Sequence, residues 1–112
     1  VAILSNDATT YPEDSFENMQ RLAREKALPF PYLHDPTQEV ARAFDAVCTP
    51  DFFGYNGNLE LQYRGRLDAS ALTAPPPDRR RELVLAMRLI ADTGKGPVEQ
   101  MPSMGCSIKW RA

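Results

Sequence analysis

The chain opens on an unbroken apolar run, Val1-Ala2-Ile3-Leu4, closed by the polar Ser5-Asn6-Asp7. A short apolar run without alternation suits a strand covered on both faces, as in a parallel sheet. Thr10-Tyr11-Pro12-Glu13 has the form of a capping box with a proline in the first turn. Phe16, Met19, Leu22 and Ala23 then recur at three- and four-residue steps, which predicts one face of an amphipathic helix reaching to about Ala27. Pro29 and Pro31 stop it. Phe30-Pro31-Tyr32-Leu33 is too rich in proline for a central strand and is expected as a short extended edge or loop segment. Asp35-Pro36 predicts a second helix, with Asp35 as N-cap, Pro36 at the first helical position and Val40, Ala43 and Phe44 as its buried stripe.

Beyond Val47-Cys48-Thr49-Pro50, the run Asp51-Phe52-Phe53-Gly54-Tyr55 predicts a strand. Asn56-Gly57-Asn58 is a hairpin turn signal. Leu59-Glu60-Leu61-Gln62-Tyr63-Arg64 alternates, as an antiparallel strand with one wet face does. Ala74-Pro75-Pro76-Pro77 is expected as a stiff connector. Asp78 would cap a last helix carrying Leu83, Val84, Met87, Ile90 and Ala91, with Gly94 ending it. The order strand, helix, extended piece, helix, strand, strand, helix predicts an α/β fold with flanking helices on a mixed sheet, part βαβ and part hairpin. Residues 1–94 are expected to form the domain. Residues 95–112, with Pro97 and Pro102 and no periodicity, form a tail packing on or near it.

A length of 112 residues allows one domain, and 43% hydrophobic with 25% charged residues is ordinary for a globular protein. A net charge of −2 gives no electrostatic drive toward nucleic acid or anionic lipid. The basic run Arg79-Arg80-Arg81 reads as a solvated face. No apolar run approaches the ~20 residues that span a bilayer, and no signal peptide is visible. The first residue is Val1 rather than Met, so an upstream segment is expected. Two cysteines, Cys48 and Cys106, and a single histidine, His34, exclude a disulfide-dense scaffold and a four-ligand zinc site. Asp7, Asp14 and Glu17 lack a metal-binding spacing. A reducing, cytoplasmic setting follows as the expectation.

Several segments taken in order resemble bacterial thioredoxin-like proteins of the AhpC/TSA, peroxiredoxin-related group. They are Ser5-Asn6-Asp7, Tyr11-Pro12-Glu13-Asp14-Ser15-Phe16-Glu17-Asn18-Met19, Pro29-Phe30-Pro31-Tyr32-Leu33, Val47-Cys48-Thr49-Pro50-Asp51-Phe52-Phe53, Tyr63-Arg64-Gly65 and Gly105-Cys106-Ser107-Ile108-Lys109-Trp110. The resemblance implies a thioredoxin-like fold. It also implies an upstream strand and a helix opening on a Cys-x-x-Cys motif, neither of which this sequence contains. The implied strand lies in the sheet between residues 1–4 and 51–55. Without it two buried edges carry unpaired N–H and C=O groups, each costing on the order of 1–3 kcal/mol. Either the segment belongs to the protein outside this sequence, or a second copy or partner fills the gap, or the fragment rearranges. The first is expected.

By the same resemblance, the bond before Pro50 is cis, and Thr49 and Pro50 hold an extended thiol substrate through backbone hydrogen bonds. Cys48, two residues earlier, is either a resolving thiol for an upstream cysteine or an inert small hydrophobe. Cys106 is either a tail thiol favoured as thiolate by Lys109 and Arg111, or an anchor, with Trp110, of a packed tail. A Cys48–Cys106 bond would close a loop of about 58 residues, about 4 kcal/mol in the chain-entropy model. His34 before Asp35 has the form of a dyad, but a surface histidine before a helix cap explains it as well. The resemblance implies a thiol-disulfide oxidoreductase or a thiol-dependent, peroxidase-like antioxidant protein with its main nucleophile upstream of Val1. It needs no metal or organic cofactor. Its partners are a thiol or disulfide protein, a small thiol or a peroxide, and a homodimer is open. The other reading is a non-catalytic thioredoxin-fold binding module, or an inactive fragment. On either reading the 112 residues by themselves are expected to show little turnover.

Overall fold

The opening apolar run forms strand β1, Ala2–Leu4, which pairs in parallel with β2, Tyr32–His34. In the computed structural model residues 1–70 and 80–112 are described, and they divide into two units, Val1–Ala46 with Ile108–Ala112 and Val47–Ser107. The predicted connector at residues 74–77 and the Asp78 cap lie outside the described residues.

In the first unit, helix α1, Phe16–Glu25, links the two parallel strands. Its N-cap is Ser15, whose Oγ accepts from the Asn18 N–H at 3.3 Å, and a 3-10 turn, Pro12–Asp14, precedes it. The capping box expected at Thr10 and Glu13 is therefore corrected. Thr10 donates its hydroxyl to Asp7 at 2.8 Å, satisfying the loop rather than a helix end. Of the predicted apolar face only Met19 is buried; Phe16 and Leu22 remain half-exposed, with Phe16 stacked on His34 at 5.8 Å.

Helix α2 is one short turn, Glu39–Ala43, preceded by Gln38 at φ +65°. Asp35 is not its formal N-cap, yet its carboxylate accepts from the N–H groups of Val40 and Ala41 at 3.3 and 3.0 Å. The expected stripe of Val40, Ala43 and Phe44 is exposed, and Ala41 is the buried residue. Five residues make too little helix to present a stripe, and the turn is held instead through Asp35 and Gln38. The buried Gln38 donates to the carbonyls of Ser5 and Lys109 at 2.7 and 2.9 Å and accepts from the Arg111 N–H at 3.0 Å. Asn6 accepts from the Lys109 N–H at 2.9 Å, and Asp7 N–H donates to the Lys109 carbonyl at 2.8 Å. This network fixes the C-terminal residues, whose buried apolar anchor is Ile108.

In the second unit, β3, Cys48–Thr49, pairs antiparallel with β6, Cys106–Ser107. The hairpin of β4, Phe52–Tyr55, and β5, Leu61–Gly65, carries helix α3, Glu82–Thr93. The Asn56-Gly57-Asn58 signal does mark the turn. Its mechanism is the Asn56 side chain, which accepts from Asn58 and Glu60 N–H at 2.9 and 3.0 Å, and the left-handed residue is Leu59 at φ +60°. Tyr63, Ala86 and Ile90 form the core, with Phe52 and Leu83 against it. The α3 face is thus Leu83, Ala86 and Ile90; Val84 and Met87, expected inside, are half-exposed. Gly54 admits this packing, because a Cβ there would stand 2.5 Å from Met87 Sδ. Gly94 ends α3 at φ +77°, its N–H on the Ile90 carbonyl at 2.8 Å.

Beyond α3 the chain follows β5. Gln100 bridges Gln62 and Arg64, Arg66 N–H reaches the Met101 carbonyl, and Ser103 donates to Gly65. The expected single mixed sheet is corrected to three two-stranded ladders, one parallel and two antiparallel, among the described residues. The run at residues 1–4, expected to be covered on both faces, has Ile3 exposed and the alternate positions half-buried. Among the described residues, no helix is long and apolar enough to cross a membrane.

Candidate functional site

Three of the four predicted site residues, Cys48, Thr49 and Cys106, meet in one small ladder, and Pro50 directly follows it. Cys48 pairs with Ser107 and Thr49 with Cys106, so the two cysteines sit on adjacent strands one residue out of register. Side chains alternate faces along a strand, and the Thr49 and Cys106 pair therefore shares one face while Cys48 belongs to the other. Both thiols are free. Thr49 Oγ1 donates to the Cys106 carbonyl at 3.3 Å, and the Thr49–Pro50 peptide bond is cis. Gly105 lies so close that a Cβ on it would collide with the Thr49 carbonyl oxygen.

Cys48 is half-buried, and its thiol contacts the Pro50 carbonyl at 3.6 Å. Burial pushes its thiol up, the Asp51 carboxylate adds to this, and Arg64 opposes it. Cys48 is therefore held as a thiol at neutral pH rather than as a ready nucleophile. Asp51 accepts from the Val47 N–H and pairs with Arg64, each at 3.4 Å. The Arg64 guanidinium also lies 5.0 Å from the Phe53 ring centre. Cys106 is exposed.

Asp51, Arg64 and Gly105 are parts of this site that the sequence reading missed. Asp51 sits next to Pro50, and a carboxylate beside a thiol was the available signal. The roles of Arg64 and Gly105 depend on long-range pairing. His34 belongs to the other unit, where it stacks on Phe16. Trp110, one anchor in the packed-tail alternative, is 40% exposed, its ring faced by the Arg42 guanidinium at 4.5 Å. Among the described residues, no group of three or more His, Cys, Asp or Glu side chains is placed to hold a metal ion.

Residues 4–70 match the AhpC/TSA family, which implies a thioredoxin-like fold, and the chain belongs to it. Similar solved structures include two crystal structures. One, an uncharacterized conserved protein from Geobacillus kaustophilus, is 50% identical with a TM-score of 0.89; the alignment covers 98% of this chain and 58% of that one. The other, a hypothetical protein from Sinorhizobium meliloti, is 37% identical with a TM-score of 0.87, over 99% of this chain and 61% of that one. The chain thus spans about three-fifths of the length of these relatives. No curated protein matches it significantly.

Proposed function

We propose that this chain is the substrate-contacting part of a thiol-redox domain whose main nucleophilic cysteine lies N-terminal to Val1. Membership of the AhpC/TSA family carries the reading. The gathering of Cys48, Thr49 and Cys106 in one ladder, with Pro50 next to it, supports it. So does the exposed pair Ile3 and Leu33, register partners across β1 and β2, which has the apolar character of a sheet awaiting a further element. An upstream strand completes the thioredoxin-like sheet in this reading.

The chemistry is attack by a cysteine thiolate on a disulfide or a peroxide. On a disulfide it forms a mixed disulfide and expels one thiol; a second thiol then displaces the substrate sulfur and leaves an enzyme disulfide. On a peroxide it forms a sulfenic acid and releases an alcohol or water, and a second thiol condenses with it, releasing water. A thiol protein or small thiol restores the reduced state. Thr49 and Pro50 present backbone to the substrate. Cys106, exposed at Thr49, is the better placed auxiliary thiol, and Cys48, kept protonated by burial and Asp51, is the poorer.

The test is the intact mass and thiol count of the protein purified from its natural source. A mass well above 12.6 kDa with additional thiols is the expected result. A mass of 12.6 kDa with two thiols would remove the proposed nucleophile.

A further inference from the structure

The β3 edge is already taken. β6 runs antiparallel along Cys48 and Thr49, as a bound extended peptide would, and the pairing is reinforced by the Thr49 hydroxyl on the Cys106 carbonyl. The close seat of Gly105 on the Thr49 carbonyl leaves no room for a side chain there. Upstream of β6 the same segment is tied to β5 by Gln100, Met101 and Ser103, so it is delivered to β3 as a tethered strand. A tethered strand competes at an effective concentration in the millimolar range, and a free peptide must exceed that to displace it.

We infer that Gly105-Cys106-Ser107 is an autoinhibitory strap that occupies the strand-binding edge of Thr49 and must leave before an extended substrate segment pairs there. The inference rests on the proposed substrate-contacting role of Thr49 and Pro50. It adds a regulatory step to that role: the ladder pairs Cys48 with Ser107 and Thr49 with Cys106, and its local opening frees the Thr49 edge.

Gly105→Val places a side chain against the Thr49 carbonyl and evicts the strap. Ser107→Pro puts a residue that lacks an N–H into the two-residue β6 without intruding on Thr49 and serves if the first variant does not fold, as judged by circular dichroism. Two readings are taken on each variant and on the unmodified chain. One is hydrogen exchange over residues 103–107. The other is binding of a fluorescein-labelled synthetic peptide of residues 101–107 carrying Cys106→Ser. Exchange should accelerate at least tenfold in a variant, and the peptide should bind it at least tenfold more tightly than it binds the unmodified chain. Equal peptide affinity in both, with exchange showing the strap released, would overturn the inference and leave the edge as a strand-binding site. Unchanged exchange in both variants would also overturn it, because the strap would then not depend on this contact. Release without peptide binding to any protein would instead defeat the underlying reading of the Thr49 edge, and the inference with it.

Discussion

Replacing Gln38 by methionine removes a hydrogen-bonding hub while keeping an unbranched side chain of similar volume. The backbone at Gln38 has φ +65°, and methionine bears the same conformational cost there as glutamine, so that term cancels. Three bonds are lost: to the Ser5 carbonyl, the Lys109 carbonyl and the Arg111 N–H. The Lys109 carbonyl keeps the Asp7 N–H, and exposed Arg111 is rehydrated, so each forfeits only a net bond of about 1 kcal/mol. The half-buried Ser5 carbonyl loses its partner at a cost of about 1–2 kcal/mol. The sum is about 3 kcal/mol, a large fraction of a typical stability of about 5–15 kcal/mol. Urea unfolding followed by circular dichroism measures it, and hydrogen exchange at residues 108–111 shows whether the C-terminal segment loosens. A loss below about 0.5 kcal/mol with unchanged exchange would refute the assignment of Gln38 as the clamp of that segment.

Three further outcomes are expected. Burial alone would raise the Asp35 carboxyl, but hydrogen bonds from Ala41 N–H, the Ser5 hydroxyl and Val40 N–H hold it below its ordinary value. Its stabilisation is therefore present above the unfolded value near pH ~4 and lost as pH falls through the folded value. The urea midpoint of Asp35→Asn should accordingly be lower at pH 7 and should fall less on acidification. In a Cys106→Ser background, Cys48 should react with iodoacetamide more slowly than a free thiol at pH 8, and Asp51→Asn should speed the reaction; an unchanged rate would remove Asp51 as a cause of the raised thiol. Gly54→Ala should destabilise by about 1–3 kcal/mol in urea unfolding, because its Cβ meets Met87 Sδ at 2.5 Å and Tyr63 Cβ at 3.3 Å.

Local chemistry was legible in the sequence where it acts locally. Asn56-Gly57 marked the hairpin, Gly94 the end of α3, and Pro29 and Pro31 the end of α1. Amphipathic spacing found the helices but only part of the faces they bury, Met19 in α1 and Leu83 and Ile90 in α3, since a 3.6-residue period leaves the neighbouring element undetermined. Leu83 and Ile90 of the expected face do pack on the hairpin core, Ala86 joins them, Met87 rests half-exposed against Gly54, and Val84 is half-exposed, because of where β4 and β5 lie. Asp35 was recognised as a helix-capping residue, but its distant partner Ser5 and the hub at Gln38 were not, since both depend on residues far along the chain. The site divides in the same way. Cys48, Thr49 and Pro50 are adjacent in sequence, whereas the meeting of Thr49 with Cys106 spans 57 residues and carries no local pattern.

The most direct test of the thiol-redox assignment is dithiothreitol-dependent reduction of a fluorescent disulfide peptide, run on this chain of 112 residues and on the protein at its natural length. Background turnover by the chain alone and robust turnover by the longer protein, abolished when its upstream cysteine is changed to serine, is the predicted result. Robust turnover by the 112-residue chain, lost in Cys48→Ser or Cys106→Ser, would contradict it and move the nucleophile into the ladder described above.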